Sequence, residues 1–333
     1  MTSTPCIPDF TYFDSPEFLT LSLHIVSIIS TPIYCLGIYC ILFKTPKQMN
    51  SVKWYLLVVH CLIILFDYVV AVLTVPYLLL PTMGGIPYGL LRTLGVPTGI
   101  QTVIALINLC FIFLGTLSVY ENRFFILCDF KWKEKWRFWR RIWITLHYLS
   151  VPMIFLPMYY LIPDQATALR EACLPCLPDY IRNAPIFIVA TNYTFQVISI
   201  LSEFIECVCE NLFFITKLIK NGRKERNQMS EKTFKMHKQF ILALIIQLTV
   251  PFVMLAGPTV YVFGSILISY HNQAGVNFSV ILCTTHGFVS TVVMIIVHRP
   301  YRLAVIRMIR RKEEVKVAVL NVLVHKSPVL SID

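Results

Sequence analysis

The sequence is short of charge. Asp, Glu, Lys and Arg make up 14% of its 333 residues, against 56% hydrophobic. A soluble globular domain carries about 25% charge, so that class is excluded. The first 17 residues contain no Lys or Arg. That removes the positive region of a cleavable signal peptide, and the first apolar run exceeds the roughly 7–15 residues of a signal core. It is expected to stay in place as a signal anchor. Local enzyme signatures are missing as well: there is no HExxH, no GxSxG and no Gly-rich phosphate loop. The acidic residues and histidines stand on separate segments without local ligand spacing, so no enzyme, cofactor or metal site is expected. No second pair accompanies Cys173 and Cys176, which argues against zinc. No solenoid repeat and no long linker divide the chain.

What is present is hydrophobic length. Seven apolar runs cover about 18–43, 54–80, 96–127, 142–162, 185–216, 239–268 and 277–298. Each is long enough to cross a hydrocarbon core of about 30 Å as a helix of about 20 residues. The expected fold is an all-α membrane protein with a seven-helix bundle over 18–298, a segment 1–17 before it and a tail 299–333 after it. Ser15-Pro16 suits a helix start, and Pro46 ends the first helix.

The 29 lysines and arginines fall in every second gap. They occupy Lys44–Lys53, Arg123–Arg141, Lys217–Lys238 and the tail from Arg299; the exceptions are Arg92, Arg170 and Arg182. Short basic loops stay cytoplasmic. The amino terminus is therefore expected outside and the tail inside. The net charge of +11 is confined to these loops, which fits anionic membrane lipids as partners and not nucleic acid. Leu303, Ile306 and Ile309 alternate with arginines, as in an amphipathic helix lying on the membrane surface.

Ionisable groups inside a membrane are costly and usually functional. If the helices are straight, Asp67, Asn108, Glu203 and His286 sit at one depth, roughly 18–21 Å from the inner edge at 1.5 Å per residue. Such a polar layer binds a cation, takes a proton or contacts a ligand; alternatively it only fixes helix packing. Glu203, Glu206 and Glu210 share one helix face and are expected to pair with inner arginines. Glu121-Asn122-Arg123 ends the third run. An acid and an arginine there resemble the coupling motif of rhodopsin-like receptors, with an Asn interposed. Residues two apart do not face each other on a helix, so Arg123 is expected to meet Glu210 or a cytoplasmic partner. Arg302 follows the last run in Arg299-Pro-Tyr-Arg302. Pro251 is a candidate pivot in the sixth helix. Tyr77, Tyr159, Tyr193 and Tyr261 are candidate pocket residues at the outer side, or members of an interfacial aromatic belt. Cys6, Cys173 and Cys176 are the cysteines expected on the oxidising side, where one pair can form a disulfide.

Several motifs together resemble one family. They include Ser15-Pro-Glu-Phe18, Tyr39-Cys-Ile-Leu-Phe-Lys-Thr-Pro-Lys47, Ser51-Val-Lys-Trp54, Gly95-Val-Pro-Thr98 and Glu121-Asn-Arg-Phe124. Further along come Ile162-Pro-Asp-Gln165, Pro175-Cys-Leu-Pro178, Ala243-Leu-Ile-Ile-Gln-Leu-Thr-Val-Pro251, His286-Gly-Phe-Val-Ser-Thr291 and His298-Arg-Pro-Tyr-Arg302. Their order and spacing, over about 10–312, resemble the nematode serpentine receptor class H. The resemblance implies a seven-helix chemoreceptor of sensory-neuron cilia that takes a small molecule and acts through heterotrimeric G proteins. Glu121–Arg141 and Lys217–Lys238 would form the docking face. A ligand-gated channel or transporter using Asp67, Glu203 and His286, or an intramembrane enzyme on the same layer, are the alternative readings. No inverted repeat supports the transporter.

Overall fold

The computed structural model describes residues 10–46, 49–171, 177–224 and 231–310. Cys6, Cys173 and Cys176 lie outside them, as does the side chain of Pro251. Seven long helices form the body: α1 (Pro16–Lys44), α2 (Asn50–Tyr68), α3 (Thr98–Leu127), α4 (Lys133–Tyr160), α5 (Thr194–Lys224), α6 (Glu231–Leu267) and α7 (Gln273–Val297). Among the described residues six of them are long and apolar enough to cross a membrane, with mean hydropathy of 1.3–2.7. The exception is α5, where Glu203, Glu206 and Glu210 crowd one face. Large apolar side chains such as Ile28 (73% exposed) and Met153 (75%) point outward from the bundle. Outward apolar side chains and buried polar ones are what a lipid surround selects.

The helix starts follow from their sequences. Ser15 accepts a hydrogen bond from the Phe18 amide at 3.1 Å, and Pro16 fills the first helical position. Thr45-Pro46 stops α1 at Lys44. Asn192 caps α5 by accepting the Thr194 amide at 3.1 Å.

Two of the apolar runs are not wholly helical. The run 54–80 continues α2 through a π-helical turn, Val69–Thr74, and breaks at Val75, whose φ is +41°. Pro76 has no amide proton to extend a helix. The chain turns into strand β1 (Pro76–Leu79), which pairs antiparallel with β2 (Gly84–Pro87) in the register Tyr77↔Ile86. Likewise the run 185–216 opens with a two-residue strand β3 (Phe187–Ile188) on the other edge of β2, and its helix starts only at Thr194. Apolar residues alone do not separate a buried strand from a helix end.

This sheet closes one end of the bundle. Tyr77 is fully buried there and donates to Asp14 O at 2.7 Å; burial raises the pKa of its phenol. Asp14 Oδ1 in turn accepts the Ala274 amide at 2.7 Å, at the N-terminus of α7, where negative charge is favoured. Asn277 donates to Phe13 O at 2.9 Å. The segment before α1 is thus fastened across the mouth of the bundle to α7. At the opposite, basic end a helix spans 299–310. It buries Tyr301 and leaves Leu303, Ile306 and Ile309 exposed.

Within the bundle α3 is central, packing against α2, α4 and α5, while α7 packs against α1, α2 and α6. Close approach of α7 to α2 depends on Gly287. A Cβ there would overlap the Asp67 carboxylate and lie 2.7 Å from the Tyr34 hydroxyl.

Candidate functional site

The polar layer expected from the sequence divides. Asp67 and His286 do meet, from α2 and α7. Asp67 Oδ1 lies 3.2 Å from His286 Nδ1, and Asp67 Oδ2 accepts the hydroxyl of Tyr34 from α1. His286 is fully buried and Asp67 is 5% exposed. His286 Nδ1 also faces the Cys283 carbonyl at 2.5 Å. That carbonyl can only accept, so Nδ1 carries a proton. Nε2, at the far side of the ring, is buried without a hydrogen-bond partner among the described residues. Beside this triad a narrow cleft is lined by Val26, Ser27, Ser30, Tyr34, Asp67, Tyr68, Ala71 and Thr284. Tyr34 carries no signal in a single sequence: it is one of 16 tyrosines, and only the meeting of α1 with α2 selects it.

The other two members are placed apart. Asn108 is buried on α3, and neither amide atom has a hydrogen-bond partner among the described residues. Glu203 is buried on α5 and feels the charges of Glu206, Glu210 and His147 of α4. His147 Nε2 stands 3.3 Å from Glu210 Oε2 and 3.7 Å from Glu206 Oε1. The glutamates expected to pair with inner arginines face His147 instead. The helical face was legible; the opposing residue depends on how α4 is rotated.

At the basic end, Glu121-Asn122-Arg123 is split between two neighbours. Glu121 is fully buried and turns to α4. Its Oε2 accepts Arg140 Nη2 at 2.5 Å and Nε at 3.1 Å, and its Oε1 accepts the Trp136 indole N–H at 2.8 Å. The Arg140 guanidinium also donates to Asn122 Oδ1 at 3.2 Å and lies 4.3 Å from the Phe125 ring. Asn122 donates to Ser51 O of α2 at 3.2 Å. Arg123, 4% exposed, lies on another side of α3, within electrostatic reach of His298 and Tyr301. His298 Nε2 donates to Gln247 Oε1 of α6 at 2.7 Å, and Tyr301 shares a 2.8 Å hydrogen bond with Thr45, just past the end of α1. Arg302 donates to Ile296 O at 2.7 Å and closes the carbonyl end of α7.

The four tyrosines do not line one pocket. Tyr193 and Tyr261 pack around Leu80, Ile266 and Val276 between the sheet and the ends of α6 and α7. Tyr77 is a strand residue committed to Asp14. Tyr159 lies beside Gly99 at the far end of α4 and is 38% exposed.

A serpentine bundle with membrane-length helices, a buried polar core and a sheet over one mouth is the fold of a multi-pass membrane protein. The family model described as "Serpentine type 7TM GPCR chemoreceptor Srh" matches residues 14–311, and the chain belongs to that family. It is also similar to "Serpentine receptor class H-72" of Caenorhabditis elegans, 24% identical over 329 residues, covering 97% of this chain and 95% of the relative. The resemblance carried by the short motifs is that of the whole chain.

Proposed function

We propose that the chain is a chemoreceptor of the plasma membrane, in sensory-neuron cilia, that detects a small molecule and signals through a heterotrimeric G protein. In this reading the sheet-capped end and the amino terminus face outside, and the basic end faces the cytoplasm. The chain is a receptor and not an enzyme. Membership of the chemoreceptor family supports the class.

The observation that carries the signalling reading is the contact between Gln247 of α6 and His298 after α7, beside buried Arg123. An outward swing of the basic end of α6, with Pro251 one turn away as its pivot, has to separate Gln247 from His298. That exposes Arg123 between Glu121–Arg141 and the start of α6, where a G protein docks. A ligand favours the open state only through its higher affinity for that state. The α6–α7 mouth around Tyr193 and Tyr261 supplies the contacts. Asp67, His286 and Tyr34 hold α1, α2 and α7 together, so that the movement is confined to α6.

The test is expression in a heterologous cell, a panel of small odorants and a second-messenger readout. Arg123→Ala is expected to abolish the response at unchanged surface expression. A response equal to wild type would remove Arg123 from the coupling site.

A further inference from the structure

The cluster on α4 and α5 is a site that the receptor reading does not use. Among the described residues, His147, Glu206 and Glu210 are the group of His, Cys, Asp and Glu whose ligand atoms converge, all within 4.8 Å of one another. The imidazole is already oriented. His147 Nδ1 lies 2.9 Å from the Trp143 carbonyl one turn back, and a carbonyl only accepts, so Nδ1 carries the proton. A carbonyl that holds one ring nitrogen in this way presents the other as a metal ligand. Nε2 faces the two carboxylates, and among the described residues neither it nor Glu210 Oε2, both buried atoms, makes a hydrogen bond of good geometry. Two carboxylates converging on one imidazole in a membrane-crossing bundle call for positive charge among them, either a cation or a proton on His147.

We propose that His147, Glu206 and Glu210 bind a divalent cation of the zinc class, bridging α4 and α5. The spacing fits. Zinc takes His N and carboxylate O at about 2.0–2.2 Å in tetrahedral geometry, which sets neighbouring donors roughly 3.3–3.6 Å apart. The observed separations from Nε2 are 3.3 and 3.7 Å, and the two carboxylates offer oxygens within 4.8 Å of each other. One nitrogen and two oxygens suit zinc better than calcium, which takes 6–8 oxygens. Glu206, with its side chain 56% exposed, leaves the fourth position uncovered by protein and free for a further ligand. The rival is a protonated His147 held by the same carboxylates without metal.

Purified receptor, stripped with a chelator and reconstituted in lipid nanodiscs, is titrated with Zn²⁺ and separately with Co²⁺. One equivalent of Zn²⁺ is expected, with the visible bands of tetrahedral Co²⁺ and no thiolate-to-cobalt band. His147→Ala and Glu210→Gln are expected to lose the equivalent. A direct ligand matters at least as much as a residue that only orients one, so Glu206→Gln weakens binding by at least roughly tenfold. His24→Ala, an exposed histidine on α1, leaves binding unchanged. Because Glu206 is half exposed, Glu206→Gln keeps the metal-free melting temperature of wild type, and it carries the test if His147→Ala does not fold. Absence of an equivalent in wild type, a thiolate band, or unchanged binding in Glu206→Gln would each overturn the proposal.

Discussion

Glu121→Gln tests the reasoning about the basic end most directly. Glu121 is fully buried, and Arg140 has 13% of its side chain exposed. An exposed ion pair contributes at most about 1 kcal/mol. Removing one partner of a buried pair costs about 3–5 kcal/mol, because the remaining charge is left unpaired. Here Arg140 keeps Asn122 Oδ1 and the Phe125 ring, and it retains some solvent. The loss therefore falls at the lower end, about 3 kcal/mol. The substituted amide can still accept the Trp136 indole N–H through its oxygen, but its N–H₂ faces the guanidinium of Arg140. The assay is equilibrium unfolding in lipid bicelles of wild type, Glu121→Gln, Arg140→Gln and the double variant. Residues in one ion-pair network show coupling of about 0.5–3 kcal/mol, and about 2 kcal/mol is expected for this pair. Coupling under about 0.5 kcal/mol would mean that the two changes act independently and would refute the view that Glu121 ties α3 to α4.

Gly287→Ala is expected to destabilise by about 1–3 kcal/mol through overpacking, since its Cβ meets Asp67, Tyr34 and Ile63. Gly257→Ala, with nothing within 4 Å of its Cβ, should instead be neutral or stabilising, and thermal melting of the two variants separates these outcomes. A third prediction concerns pH. Hydrogen bonds from the Thr167 amide and hydroxyl hold the Asp164 carboxyl below its ordinary value. The start of the helix Gln165–Glu171 is therefore supported above the ordinary carboxylate range and loses that support as pH falls through the depressed value. Protection of the Thr167 amide against hydrogen exchange should fall there, and in Asp164→Ala that protection should already be lost at neutral pH.

The class of this protein was legible in one dimension because a membrane imposes it there. Length and apolarity mark each crossing, and the polar residues inside a crossing stand out against it. Asp67 and His286 were found this way. Thr45-Pro46 and Ser15-Pro16 gave the ends of α1 because proline and a hydroxyl cap act locally. Runs 54–80 and 185–216 misled where an apolar segment changes from helix to strand, because hydropathy does not record the backbone's course.

What the sequence determined by itself was the number of long helices, the family and the residues that pay a desolvation cost. Tertiary structure decided their partners. Helix rotation placed His147 against Glu210, and left Asn108 without the company of Asp67. It gave Glu121 to Arg140, although Arg123 lies two residues away, because positions two apart leave a helix in different directions. A partner on another helix is chosen by crossing geometry and close approach, as at Gly287, and no local pattern encodes that choice.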